Sequence, residues 1–61
     1  MLQTNKNSYR VIVVCRNGEK EGRYTFIEDY DETWETIACQ MFYDEYGVNP
    51  TEMKIESREK L

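Results

Sequence analysis

One stretch near the start of the chain, "SYRVIVVCR" at residues 8–16, limits the fold more than any other. It is β-branched and apolar, and it runs directly into Asn17-Gly18. Such a run reads as a strand, and Asn-Gly suits the positive-φ positions of a tight hairpin turn. The first half of the chain is therefore expected to fold as an antiparallel hairpin, with a second strand at Arg23–Glu28. Alternation assigns the faces. Tyr9, Val11, Val13 and Cys15 form an all-apolar side that must meet a core. Arg10, Ile12, Val14 and Arg16 form the other. On the second strand Tyr24 and Phe26 alternate with Thr25 and Ile27, so both faces of the hairpin carry apolar groups.

The next segment has a helical period. Asp29 or Asp31 is placed to cap it, and Asp29 with Glu32 has the spacing of a capping box. Glu32 and Glu35 suit the positive end of the helix dipole. The helix is expected from Glu32 to Tyr46, with Gly47 at the left-handed position that stops it. At about 100° per residue, Ile37, Ala38, Met41 and Phe42 fall within about 80° of Trp34, a core stripe. Tyr46, Cys39 and Tyr43 fall at about 120°, 140° and 180° from Trp34. Cys39 and Tyr46 lie on the flank, where either the chain's own arm and connector or a partner covers them. Tyr43 points away from the sheet and is the better partner contact.

Pro50 holds Asn49 extended. Beyond it, Met53, Ile55 and Ser57 alternate with Lys54, Glu56 and Arg58, a half-buried third strand. After a helical crossover this strand is expected parallel to a hairpin strand, the first being favoured. The fold class is thus α+β, in the order β-β-α-β: a three-stranded sheet with one helix packed on one face. Residues 1–61 form a single small domain, with 1–7 and 59–61 expected to be loose ends.

At 61 residues the chain buries only about 60% of its unfolded surface. That is little core from which to shape a deep catalytic cleft. The chain has no histidine, no serine or cysteine in an activated context, and no phosphate-cradling glycine loop. Two cysteines without histidine make a poor metal site. No catalytic residue, metal or cofactor is expected. No apolar h-region opens the chain, and no apolar run reaches the roughly 18 residues of a membrane span. The expectation is a cytoplasmic protein with no membrane partner.

Charge is segregated. Residues 1–23 carry five basic and two acidic groups, net +3. Residues 24–52 carry eight acidic groups and no basic one, net −8. Residues 53–61 return to net +1. An acidic helix bearing tyrosines attracts a basic protein surface, and such a field speeds association. The candidate partner-binding residues are Glu32, Glu35, Cys39, Tyr43, Asp44 and Tyr46. A second candidate surface is the uncovered sheet face, where Ile12, Val14, Thr25 and Ile27 are rimmed by Arg10, Arg16 and Arg23. That pattern suits self-association as a homodimer, or else a sheet back shielded by arginine stems. Direct nucleic-acid binding through Arg10, Arg16, Lys20 and Arg23 is disfavoured, because no aromatics interleave with them.

The strand, strand, helix, strand order and the Asp31-x-x-Trp34 opening of an acidic helix resemble the very small proteins with which tailed phages block host defences. The likeness is to the Dmd-type antitoxins of T-even phages. The resemblance implies a protein-binding inhibitor or antitoxin that neutralises a host endoribonuclease toxin by direct contact, in the host cytoplasm. The expected function is therefore a small acidic module that occludes the basic surface of a nucleic-acid-handling protein. A homo-oligomeric accessory protein is the alternative.

Overall fold

A computed structural model describes residues 8–28 and 33–61. The elements are β1 (Tyr9–Asn17), β2 (Lys20–Glu28), α1 (Trp34–Tyr46) and β3 (Glu52–Lys60). They form one three-stranded sheet of order β2-β1-β3 with the helix on one face. The expected α+β class and β-β-α-β order hold.

The hairpin turns through two residues, Gly18 and Glu19, so β2 begins at Lys20, three residues before the position read from the sequence. Gly18 has φ 63°, and no described residue other than glycine has positive φ. Positive φ at the first central residue alone is the signature of a type II′ turn, which needs glycine there.

The third strand corrects an expectation. β3 runs antiparallel to β1, with Tyr9 opposite Lys60 and Arg16 opposite Glu52. The crossover does make β3 parallel to a hairpin strand, but that strand is β2, on the far side of β1. The helix starts where β2 ends and returns alongside β1, so the chain re-enters the sheet in the direction of β2. Residues 59 and 60 are not loose either. Glu59 and Lys60 pair with Arg10 and Tyr9, and the Leu61 N–H donates to the Ser8 carbonyl at 3.0 Å. Residues 1–7 lie outside the described segments.

β3 also changes face midway. Val13 is opposite Ile55 and Ile12 is opposite Ser57, leaving Glu56 as an extra residue, a β-bulge. Met53 and Ile55 keep the helix side. Ser57 moves to the open face, although simple alternation placed it with Met53 and Ile55. Arg58 moves under the helix layer, and its guanidinium stands 3.9 Å from the centroid of the Tyr9 ring.

The core is Val11, Val13, Cys15, Ala38 and Phe42, all fully buried. Tyr9, Tyr24, Phe26, Trp34, Tyr46, Met53 and Ile55 pack around it. The buried face of α1 is therefore centred between Ala38 and Phe42, rotated from the Trp34-centred stripe. Met41 and Ile37 are only half-buried as a result.

The helix ends as expected, with Gly47 at φ 77° donating its N–H to the Tyr43 carbonyl at 2.7 Å. Its start is held differently. Thr33 is the N-cap residue and makes no capping bond through its side chain. The Glu28 carboxylate, only 8% exposed, accepts the Trp34 N–H at 3.1 Å through Oε2. Its Oε1 accepts from Arg58 Nε at 3.1 Å. The bulge that swings Arg58 inward thus supplies the cation for a carboxylate sited at the positive end of the helix. Asp29, Asp31 and Glu32, the expected capping residues, lie outside the described segments.

Candidate functional site

The helix lies over β1 and β2 and leaves a gap towards β3. Its two sides are built from different chemistry. At the join with β2, the Tyr24 hydroxyl donates to the Glu45 carboxylate at 2.5 Å. The Tyr46 hydroxyl donates to the Glu21 carbonyl at 2.5 Å. Tyr46 also packs its ring on Phe42, with centroids 4.7 Å apart. The Tyr24 ring lies across Gly22, where a Cβ would collide with its hydroxyl end and push the ring aside, so glycine lets the ring lie flat on the strand. Burial, and then the bond to Glu45, push the Tyr24 phenol well above its ordinary pKa. It remains a donor throughout the neutral range.

On the β3 side the helix and strand enclose a shallow open groove of about 590 Å³. Glu35, Thr36, Cys39, Gln40 and Tyr43 line it from the helix, Asn49 from the connector and Met53 from β3. The helix residues follow i, i+3 and i+4 spacing, so they form one continuous stripe. The far end of the groove is tied down. Asn17 Nδ2 donates to the Asn49 carbonyl at 2.8 Å. The Thr51 N–H and hydroxyl both donate to the Arg16 carbonyl, at 2.8 and 3.1 Å. Asn49 Oδ1 in turn accepts a weak contact from the Cys39 thiol at 3.6 Å. Tyr43 forms one wall and is 49% exposed. No described side chain or backbone group hydrogen-bonds its hydroxyl. Among the described residues, the groove wall holds one carboxylate, Glu35, and no cation.

The six expected partner residues therefore separate. Glu35, Cys39 and Tyr43 meet in the groove. Asp44 lies on the outer surface beside it, where its carboxylate accepts from Gln40 Nε2 at 2.9 Å. Tyr46 is turned into the fold by its two contacts. Glu32 lies outside the described residues. Trp34, half of the Asp31-x-x-Trp34 pair, packs on the core. The groove also uses Thr36, Gln40, Asn49 and Met53, which sequence reasoning did not single out. The helical stripe of Thr36, Cys39, Gln40 and Tyr43 was a usable signal. The offset of the helix from β3 was not.

The open sheet face is more shielded than its sequence suggested. Ile12 and Val14 are half-buried, whereas Thr25 is exposed and Ile27 is 51% exposed. Each rim arginine has a glutamate: Arg10–Glu59 at 3.3 Å, Arg16–Glu21 at 3.3 Å and Arg23–Glu56 at 2.6 Å. Arg23–Glu56 reaches from β2 to β3 across β1 and roofs the apolar strip. All three rim arginines are thus paired with a carboxylate, while their side chains stay more than half exposed.

Cys15 is buried among core residues, which raises its pKa, and the nearby Cys39 raises it further. Both cysteines are free thiols. No described helix is long and apolar enough to cross a membrane. Compared with known proteins, no family model, curated protein or solved structure matches the chain.

Proposed function

We propose that the protein is a small acidic protein-binding module. On this reading it occludes a basic surface of a nucleic-acid-handling protein, in the manner of an inhibitor or antitoxin, and has no chemistry of its own. The observation that carries this is Tyr43. A large side chain stands half-exposed on the wall of an open groove, with no described hydrogen-bond partner, on a helix whose exposed charges are all acidic. Tyr suits such a role because it combines a broad apolar contact with a polar tip at low entropic cost. Glu35, Asp44 and Glu45 would steer the partner in, and Tyr43 with Cys39 and Met53 would supply the desolvated contact. The resemblance of the element order and of Asp31-x-x-Trp34 to phage antitoxins supports the same reading and implies a host ribonuclease as the partner.

The test is capture from bacterial lysate on the immobilised protein at low salt, with the wild type beside the double variant Tyr43→Ala, Asp44→Lys. Basic proteins retained by the wild type, released by salt and lost with the variant are the expected result. Equal retention by both would remove the groove from consideration.

A further inference from the structure

We propose that β2 is a self-association edge, through which two copies of this chain pair antiparallel to make one six-stranded sheet. This goes beyond the partner site, which lies on the other side of the helix.

The two sheet edges are built differently. β3, "EMKIESREK", is charged at six of nine positions and broken by a bulge, both standard guards against edge pairing. β2 is nine residues long, pairs with β1 at every position and contains the uncharged run Tyr24-Thr25-Phe26-Ile27. Its register contains no bulge. The hydrogen-bonding pattern of an antiparallel pair alternates from the turn-closing pair Asn17–Lys20. The N–H and C=O groups of Glu21, Arg23, Thr25 and Ile27 therefore point away from β1, towards an edge that no described strand pairs with. The Glu21 carbonyl already accepts from the Tyr46 hydroxyl, and the others have no described partner.

Apolar surface collects at the same edge. Ile27 is 51% exposed beside it on the open face. On the helix face Tyr24 and Phe26 are only half-buried. Ile37 and Met41, both half-buried, lie on the side of α1 opposite Cys39 and Tyr43 by helical period, hence towards β2.

A second copy fits because the strand is complementary to itself. Cross-strand neighbours share a face, so only even registers are allowed. With Tyr24 opposite Tyr24, all nine residues of each strand pair. Lys20 of one copy then lies opposite Glu28 of the other, whose carboxylate stays committed to Arg58 and the Trp34 N–H. No like charges meet at either end, and Ile27 lies beside the aliphatic stems of Glu21 and Arg23. Centring on Arg23 would oppose like charges, and centring on Thr25 would leave Lys20 and Glu21 outside the strand pairing. A chain this small gains the core it lacks by such pairing. The dimer would carry two α1–β3 grooves, one on each outer flank.

Sedimentation and amide exchange on the full chain test this. Twice the 7.4 kDa protomer mass is expected at sub-millimolar concentration. Amide protection at Glu21, Arg23, Thr25 and Ile27 should rise with concentration, while Tyr24 and Phe26 are protected throughout. Thr25→Pro removes one outward N–H and should halve the mass. Thr25→Lys sets a cation opposite Arg23 of the copy and should halve it as well, which covers the case of a proline variant that does not fold. Tyr43→Ala should stay dimeric, and Thr25→Lys should still capture a partner, so failure here and failure of the groove are separable. A monomeric wild type, concentration-independent exchange at the four amides, or a dimer that survives Thr25→Lys but not Ile12→Glu would overturn the proposal.

Discussion

The join of the helix with β2 and its gap towards β3 use the same residue type for opposite ends. Tyr24 and Tyr46 each bury an aromatic body and give their hydroxyl to a named acceptor across the join. Tyr43, three residues before Tyr46, stands on the gap with its hydroxyl free of any described partner. A tyrosine is informative only through what meets its tip. Where the fold supplies an acceptor, the side chain is a staple. Where no described group meets it, the side chain is left half-exposed on the groove wall.

Variants can break this comparison. Phe42 serves both sides, since it fills the core and carries the Tyr46 ring. Phe42→Ala should cost about 3–5 kcal/mol, enough to unfold so small a domain, as thermal denaturation would show. Glu28→Gln weakens the carboxylate that holds both Arg58 and the first helical N–H. A loss of roughly 1–3 kcal/mol in urea unfolding is expected, and the double change with Arg58→Met should cost less than the sum of the two. Tyr24→Phe and Tyr46→Phe, which cut the staples alone, should each cost about 1 kcal/mol. Changes confined to the gap, such as Cys39→Ser, should stay within about 0.5 kcal/mol.

Alkaline pH probes the join as well. Tyr24 and Cys15 have raised pKa values in the folded state. Their contribution is complete below the unfolded values, about 10 for tyrosine and 8.5 for cysteine. It declines as pH rises beyond them, because the unfolded chain releases these protons first. Stability should therefore fall above about pH 9, and the part of that fall above pH 10 should shrink in Tyr24→Phe.

Much of the frame was legible in the sequence because it rests on local rules. Val11, Val13 and Cys15 announced the buried face of β1 by alternation, and Gly47 announced the helix stop. The features that escaped are tertiary. Nothing local marks Glu56 as the bulge that sends Ser57 and Arg58 to the faces opposite their apparent ones. Nor does the β2 strand disclose that its last residue, Glu28, caps a helix six positions on. The helical wheel gave the relative positions of Trp34, Phe42 and Tyr46 correctly, but not the rotation of the whole. Packing on β1 and β2 centred the buried face at Ala38 and Phe42, and this carried Tyr46 inward. Cys39 and Tyr43 were left at the rim, and there the sequence reading of Tyr43 as the outward residue agrees with the geometry.

The most direct measurement is the unfolding free energy of Tyr43→Ala beside Tyr46→Ala, in the same denaturant series. The account predicts that Tyr46→Ala loses about 2–4 kcal/mol while Tyr43→Ala stays within about 0.5 kcal/mol of the wild type. Comparable losses in both would mean that the fold itself employs Tyr43, and would contradict its assignment to a partner.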